Sequence, residues 1–140
     1  MKVENLSYKQ LMNAWVMRLA NHLVNEEGIG RSQAMRIAHM TSWVLEDLGK
    51  GAVLFSYRKD DGSYRLAEGT LCRGVCDEYD KALDEYLASP DRHQRKVRDN
   101  SNTEGIYTYW DINKKGFRTF KAKNLITIVG TNYTNYGRHA

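Results

Sequence analysis

The sequence of 140 residues has few of the features that mark disordered, secreted or membrane proteins. It contains a single proline and no low-complexity tract, so long disordered segments are not expected. No apolar segment follows residues 1–5 as it would in a signal peptide, and no apolar run approaches the roughly 20 residues of a membrane helix. We therefore expect a cytoplasmic protein of one domain, or one domain with a helical appendage.

Residues that carry catalytic or metal chemistry are also scarce. Cys72 and Cys76 lie four positions apart, which is neither a Cys-x-x-Cys redox motif nor half of a paired zinc site. The four histidines are scattered, and none has a partner at metal-ligand spacing. Gly-rich phosphate loops, Ser-His-Asp order and paired-carboxylate signatures are missing from the sequence. The sequence thus predicts reduced, structural cysteines, no metal, no cofactor and no enzymatic activity.

Charge is distributed unevenly along the chain, although the net charge is only +4. Residues 1–50 are nearly neutral, with 6 basic and 5 acidic side chains. Residues 77–86 carry five acids and one lysine, and the remainder of 51–140 has 14 basic and 7 acidic residues. A basic surface beside an acidic one suits anionic partners, but it is also typical of ordinary solvated faces.

Helical periodicity dominates the first 50 residues. Ser7-Tyr8-Lys9-Gln10 fits a capping box, which ties down the first free amides of a helix. Gly28-Ile29-Gly30 is expected to end this helix, Ser32 to cap a second one, and Gly49 to end it. Apolar residues recur at helical spacing in both segments, namely Leu11, Met12, Trp15, Val16, Leu19 and Leu23, and then Ala34, Ile37, Ala38, Thr41, Leu45 and Leu48. The segment 1–50 therefore predicts a helical hairpin.

After Gly51 the periodicity changes from that of helices to that of strands. Five strands are expected, at residues 52–58, 63–71, 106–112, 117–121 and 125–129. Asp61-Gly62 and the NKKG stretch at 113–116 supply tight turns for two hairpins. Five short strands with two tight hairpins predict a small, curled antiparallel barrel of SH3-like or Sm-like type, which closes its own edges.

A helix and a loop are expected between the second and third strands. Residues 77–88 have the pattern of a short acidic helix, and the stretch from Ser89 to Gly105 has that of an exposed basic loop. The predicted fold class is α+β. Its parts are a helical hairpin at 1–50, an SH3-like barrel at 51–131 with an insertion at about 73–105, and a polar tail at 132–140.

The stretch YWDINKKGFRTFKAKNLITI, at 109–128, resembles the end of a WYL domain. That family closes with an aromatic strand ending in Asp, a tight turn, an Arg-x-Phe strand and a final Ile-containing strand. The matching residues here are Tyr109, Trp110, Asp111, Gly116, Phe117, Arg118, Phe120, Leu125 and Ile126. The opening hairpin, FSYRKDDGSYRLAEGTL, resembles the first hairpin of the family, with Arg65 after its turn.

Short WYL-like proteins with an Sm-like SH3 β-barrel, common in Bacteroidetes and their phages, are the group that the chain resembles most. The Trp-Tyr-Leu triplet that names the larger family is missing here. The resemblance implies a ligand-sensing or nucleic-acid-binding regulatory barrel without catalytic activity.

Arg118 is the first candidate for a binding residue. Alternation along its strand places Arg118 and Phe120 on one face. An arginine beside an aromatic ring is suited to grip a phosphate or a stacked base. The alternative is a structural arginine that forms an ion pair with Asp111 or Glu68 and fixes the strand register. The sequence leaves both interpretations open.

Tyrosines and basic residues are interleaved in the two hairpins. Single-stranded nucleic acids are bound by this combination, because rings stack on bases while cations follow the backbone. The rings belong to Tyr57, Tyr64, Tyr107, Tyr109 and Trp110, and the cations to Arg58, Lys59 and Arg65. Tyrosine is also a favoured strand residue with no binding role, so a purely structural interpretation stays open.

The loop segment 92–98 concentrates positive charge. Its four fixed cations are Arg92, Arg95, Lys96 and Arg98. Three roles remain open for this segment. It binds an anionic polymer, it is a plain solvated loop, or it docks on the acidic helix 77–88. In the last case the helix would mask the segment until a stronger anion competes.

Together these features predict a non-catalytic binding module for an anionic ligand, either nucleic acid or a nucleotide, with a regulatory role. The candidate ligand-binding residues are Arg118, Arg65, Tyr57, Tyr109, Arg58, Arg92, Arg95, Lys96 and Arg98. The alternative is a phage-related protein–protein adaptor or inhibitor that acts through the acidic helix and the helical hairpin. That hairpin also offers apolar surface for a homodimer, for example at Trp15 and Trp43.

Overall fold

The computed structural model describes residues 7–89 and 104–133, with side chains in the last strand as far as Thr131. In chain order its elements are α1 (Tyr8–Asn25), α2 (Arg31–Leu48), β1 (Gly51–Arg58), β2 (Tyr64–Thr70), α3 (Asp77–Ala88), β3 (Ile106–Asp111), β4 (Gly116–Lys121), a 3-10 turn (Ala122–Asn124) and β5 (Leu125–Tyr133). The predicted α+β fold, with a helical hairpin, five antiparallel strands and an inserted acidic helix, is confirmed. None of the described helices is long and apolar enough to cross a membrane.

The start of the helical hairpin follows the sequence signal closely. The Ser7 hydroxyl accepts a hydrogen bond from the Gln10 amide (3.2 Å), and the Gln10 side chain accepts one from the Ser7 amide (2.9 Å). The predicted capping box is therefore confirmed. The break between the helices differs from expectation, because Gly30 rather than Ser32 is the N-cap of α2. Gly28, in the break, has a φ of +70°, which glycine adopts without strain.

Two apolar clusters join the hairpin to the strands. One lies between α1 and α2 and also takes in a residue of the 3-10 turn; its members are Val16, Leu19, Ala20, Leu23, Ala34, Ile37, Ala38 and Ala122. The other packs the end of α2 against the sheet; its members are Val44, Leu48, Val53, Phe55, Tyr57, Ala67, Tyr109, Phe120 and Leu125. The hairpin therefore packs on the strands as well as on itself, as expected if burial of its apolar stripe drives its folding.

The five strands form one antiparallel sheet in the order β4-β3-β2-β1-β5. The sheet is not closed, since β4 and β5 lie at its two edges, and the expectation of a barrel without edges is wrong in this respect. The chain passes through the 3-10 turn between these strands, and β5 then pairs with β1 instead of with β4. The first residue of this turn, Ala122, is fully buried among the helices, and its amide donates to the Gly105 carbonyl (2.8 Å). After the end of β4 the chain therefore passes beneath the helical hairpin, and β4 does not pair with β5.

The link between β2 and β3 is short. Only the pairs Gly69–Asp111 and Thr70–Trp110 are in register there, whereas β1 and β2 pair over seven positions from Ala52 to Arg58. Side-chain packing therefore has to hold the two hairpins together at this junction.

A close approach between Gly69 and the ring of Tyr109 provides that packing. A Cβ atom at Gly69 would lie 2.6 Å from Cδ2 of Tyr109, a distance that Cβ atoms essentially never reach. The ring is fully buried and meets Phe55 edge-on, with 5.1 Å between ring centroids. Its hydroxyl lies 2.7 Å from the hydroxyl of Tyr57. Only glycine at position 69 leaves room for this arrangement.

The acidic helix α3 covers the outer face of the β3–β4 hairpin. Its buried Tyr79 lies against Trp110 and Phe117, with ring centroids 6.0 and 6.3 Å away. An exposed ion pair of 2.9 Å joins Asp84 of this helix to Arg73. Part of the negative charge of α3 is thus neutralised within the described fold.

Substitution Gly69→Ala tests the β2–β3 junction. The added methyl group would meet the Tyr109 ring, which cannot move without disturbing Phe55, so we expect a loss of about 1–3 kcal/mol in the free energy of unfolding. The measurement is urea denaturation followed by circular dichroism. Gly130→Ala is the matched control, because nothing lies within 4 Å of a Cβ at that position and no change beyond about 0.5 kcal/mol is expected. Equal stability of the two variants would contradict the role given to this contact.

Candidate anion-binding cleft

Two segments that are distant in sequence meet at one surface cleft. One is the β1–β2 hairpin, from the end of β1 to the start of β2, and the other is β4 with the 3-10 turn that follows it. The cleft has a volume of about 230 Å³. We call it the basic cleft, and its lining residues are Tyr57, Arg58, Lys59, Asp60, Arg65, Arg118, Thr119, Phe120, Lys121 and Asn124.

Positive charge dominates the lining of the basic cleft. Five of its residues carry a fixed positive charge, and one, Asp60, carries a negative charge. The Asp60 carboxylate is paired with Lys121 Nζ at 3.1 Å, but this pair lies at the surface and holds its partners weakly. A concave site lined by charge of one sign raises the local concentration of the opposite ion, so the cleft is expected to attract anions.

Arg65 is positioned by a buried carboxylate. Its guanidinium Nη1 lies 3.3 Å from Oδ2 of Asp111, whose side chain is almost fully buried. The other oxygen of Asp111 accepts the Lys114 amide at 2.9 Å and thereby shapes the β3–β4 turn. One carboxylate therefore fixes both the turn and the direction of Arg65.

In the part of the chain that the structure describes, Arg118 does not form the ion pair that a purely structural role would require. Within the described residues it forms no ion pair with Asp111 or Glu68, and Arg65 is the arginine that pairs with the Asp111 carboxylate. Its Nη1 instead donates to the carbonyl of Phe117 at 2.9 Å. A guanidinium has five donors, so Arg118 retains donors for a ligand in the cleft.

The inner wall of the cleft contains a pair of buried tyrosines. Tyr57 lines the cleft, and its hydroxyl lies 2.7 Å from that of Tyr109, which is fully buried. Burial, reinforced by the hydrogen bond with Tyr57, raises the pKa of Tyr109 well above its usual value. Tyr109 therefore stays protonated and acts as a support for Tyr57, and it cannot touch a ligand itself.

An exposed aromatic ring stands beside the cleft. Tyr64 pairs with Arg58 across the β1–β2 hairpin and is 66% exposed. The Arg58 guanidinium carbon lies 5.2 Å from the centre of the Tyr64 ring, and its Nη2 donates to the Tyr64 hydroxyl at 2.9 Å. The ring is thus held next to the cationic lining while much of it remains open to solvent.

The structure brings together four of the predicted binding residues, Arg118, Arg65, Tyr57 and Arg58, in the lining of the basic cleft. Tyr109 lies behind this lining. Arg92, Arg95, Lys96 and Arg98 fall outside the described residues, so the predicted contribution of their loop, and its masking by α3, stay predictions.

Four lining residues were not predicted from the sequence, namely Asp60, Thr119, Lys121 and Asn124. Thr119, Lys121 and Asn124 lie in β4 and the 3-10 turn, and their place beside the β1–β2 turn follows from the order of the strands. The only local signal was the basic character of the stretch from Arg118 to Lys123. Among the described residues, no cluster of His, Cys, Asp or Glu is arranged to hold a metal ion.

Comparison with known proteins bears on the fold. The sequence model of one family, WYL_2, described as an Sm-like SH3 beta-barrel fold, matches residues 43–126. The match runs from the second half of α2 to the start of β5 and includes every lining residue of the basic cleft. No curated protein and no solved structure matches the chain.

The buried tyrosines predict a loss of stability in alkali. Burial raises the pKa of Tyr107 to about 12, and that of Tyr109 is raised as well. The side chain of an unfolded tyrosine loses its proton at pH ~10, so from that pH towards 12 Tyr107 and Tyr109 are deprotonated in the unfolded state while they keep their protons in the folded state. We therefore expect the free energy of unfolding to fall over this range, measured by urea denaturation at a series of pH values.

One variant isolates the contribution of Tyr107 from that of the lysines. Tyr107→Phe removes a group whose pKa is raised by burial, so it should make the fall in the free energy of unfolding shallower. An identical slope in the wild type and Tyr107→Phe would show that Tyr107 titrates alike in both states.

Proposed function

Since the chain belongs to the WYL_2 family, an Sm-like SH3 β-barrel fold, we propose that it is a cytoplasmic, non-catalytic module that binds a phosphate-bearing ligand, either nucleic acid or a nucleotide, in its basic cleft. The family description names a fold and no reaction. The observation that carries the proposal is the convergence of five cations from two distant parts of the chain, the β1–β2 hairpin and β4, on one concave site, with a single carboxylate among the lining residues.

The types of cation in the cleft favour phosphate over other anions. Arg58, Arg65 and Arg118 present planar guanidinium groups, which match the geometry of phosphate oxygens and form charge-assisted hydrogen bonds. The direction of Arg65 is fixed by Asp111, so little conformational entropy is lost when it contacts a ligand. Lys59 and Lys121 add point charges at the rim.

The size of the cleft limits what enters it. Sites that enclose drug-sized ligands usually measure about 300–1,000 Å³, whereas the basic cleft measures about 230 Å³. It accommodates a phosphate and part of a sugar, while a base has to remain outside. The exposed ring of Tyr64, held by Arg58, offers a stacking surface for that base. This arrangement favours a single strand or a nucleotide over a duplex, whose bases are already stacked.

The rival function, a protein–protein adaptor or inhibitor, is supported by a different surface. Exposed apolar side chains on α2 and β5 form a groove that shares no lining residue with the basic cleft. A protein partner on that groove is compatible with a nucleic-acid ligand in the cleft, so the two functions do not exclude each other.

Binding of a fluorescein-labelled oligothymidine tests the cleft. We expect wild-type protein to bind at low salt, with an affinity that falls as salt rises. Arg118→Gln should weaken binding about tenfold, because a hydrogen bond to a charged group is lost, and should lower the salt slope by about one. Fluorescence anisotropy measures both quantities. Arg31→Gln is the matched control, since it removes the same charge at the start of α2, where Arg31 contacts Asn21.

Two results would contradict the proposal. Absence of binding at low salt would exclude nucleic acid as the ligand and favour the adaptor. Binding that falls with salt but is equally strong in wild type, Arg118→Gln and Arg31→Gln would move the interaction to another basic surface, such as the segment 92–98.

Substitution of Tyr64 tests whether a base stacks beside the cleft. Tyr64→Ser should weaken oligothymidine binding about tenfold, because a stacked base contributes about 1–3 kcal/mol, and should leave pyrophosphate binding unchanged. Tyr64→Phe should restore the oligonucleotide affinity. Tyr8→Ser is the control, since Tyr8 is similarly exposed on α1. Anisotropy and isothermal titration calorimetry measure the two ligands. Equal loss of both in Tyr64→Ser would refute stacking.

A further inference from the structure

A second concave surface lies between α2 and β5, on the other side of the 3-10 turn from the basic cleft. We call it the α2–β5 groove. It has a volume of about 650 Å³, and its lining includes Arg36, Met40 and Trp43 of α2, Lys123 of the 3-10 turn, and Leu125 and Ile126 of β5. It shares no lining residue with the basic cleft, so it requires an explanation of its own.

Large apolar side chains are exposed in this groove. Trp43 is 56% exposed, and its ring lies 6.2 Å from that of His39 on the same helix. Ile126, on the opposite wall, is 43% exposed. Single exposed apolar residues are common, but two large ones that face a shared concavity mark a surface for contact with another molecule.

The exposure of Ile126 follows from the backbone of β5. Ser56 and Tyr57 are neighbours on β1, yet they pair with Thr127 and Leu125 of β5. One residue of β5, Ile126, is therefore extra, which is the arrangement of a β-bulge. A bulge changes the direction of a side chain, and here Ile126 points to solvent instead of into the core.

A second irregularity repeats this pattern. Leu54 and Phe55 pair with Gly130 and Ile128, so Val129 is the extra residue, and it is 55% exposed. Both bulges lie on an edge strand, where they interrupt the regular row of backbone donors and acceptors. A partner is thus unable to add a long regular strand to β5, and side-chain contacts have to supply the affinity.

The charge of the groove defines the partner further. Arg36 and Lys123 line it, and no carboxylate does. Lys123 Nζ is 2.9 Å from Glu27, which lies outside the groove lining, whereas Arg36 is exposed on the open face of α2. A partner that places an acidic side chain near Arg36 while it inserts an apolar one beside Trp43 would be complementary in both charge and polarity.

We propose that the α2–β5 groove binds a peptide segment of another protein that carries a large apolar anchor residue flanked by Asp or Glu. The apolar anchor packs between Trp43 and Ile126, and an adjacent carboxylate pairs with Arg36. The groove volume lies within the range of sites that enclose small ligands, so it holds an anchor side chain and its neighbours. This proposal goes beyond the nucleic-acid function and does not depend on the basic cleft.

Selection from a phage-displayed library of short random peptides on the full-length protein tests this proposal. We expect enriched sequences to share an aromatic or large aliphatic residue next to Asp or Glu. Synthetic copies of these peptides, labelled with fluorescein, should lose at least about tenfold in affinity for Trp43→Ser, because an aromatic anchor contact is lost. Arg36→Glu should weaken binding about tenfold through charge reversal. Fluorescence anisotropy measures each affinity.

Matched variants separate binding from folding. Leu66→Ser is the control, since Leu66 is 63% exposed on β2 and does not line the groove, and it should bind peptide as the wild type does. If thermal denaturation shows that Trp43→Ser is unfolded, Ile126→Ser replaces it, because its side chain is exposed on the opposite wall.

Three outcomes would overturn the proposal. The first is that no peptide sequence is enriched on the wild type relative to the groove variant, which is Trp43→Ser or, if that protein is unfolded, Ile126→Ser. The second is enrichment of peptides whose affinity ignores Trp43, Ile126 and Arg36. The third is a concentration-dependent dimer, detected by light scattering, that the groove variant converts to a monomer. That result would assign the groove to a second copy of the chain instead of a foreign peptide.

Discussion

The packing of the Tyr109 ring on Gly69 is the contact on which the rest of the sheet depends. Backbone pairing joins β2 to β3 at only two positions, so side-chain packing has to support this junction. The Tyr109 ring supports it from inside, because it packs directly on Gly69 and reaches Tyr57 of β1 through its hydroxyl. The bond between the hydroxyls thus connects β3 to β1 across β2, where the ladder of hydrogen bonds is shortest.

The basic cleft is a consequence of this short junction. Because β2 pairs with β3 only near its end, Arg65 at its start is free of the ladder to β3 and turns toward Asp111. Arg118 of β4 lines the same cleft, so cations from strands that never pair with each other face one space. Mutual repulsion of these cations is limited, because Arg65 and Lys121 are paired with carboxylates and the cleft is open to water and salt.

Local sequence signals predicted the helices and strands. Features that depend on contacts between residues far apart in the chain could not be predicted from such signals. The capping box at Ser7 and the boundaries of α3 follow from nearest neighbours in sequence, and both are confirmed. The open sheet was missed because the burial of Ala122 depends on the helical hairpin, far away in the chain. In the cleft, residue type identified Arg65 and Arg118 as candidates. Which of them pairs with Asp111 depends on strand order, which composition does not encode.

The 3-10 turn separates the two proposed binding surfaces and also keeps them independent. Its residues face alternate sides, since Asn124 lines the basic cleft and Lys123 lines the α2–β5 groove. Between them and β4, Ala122 is fully buried and its amide is bonded to Gly105, so the turn is held at its base. Coupling between sites requires an element with two arrangements that both ligands bias. Because Ala122 anchors the turn in the core, we expect the turn to keep one arrangement, so that occupation of the cleft and of the groove contributes additively to the free energy of binding.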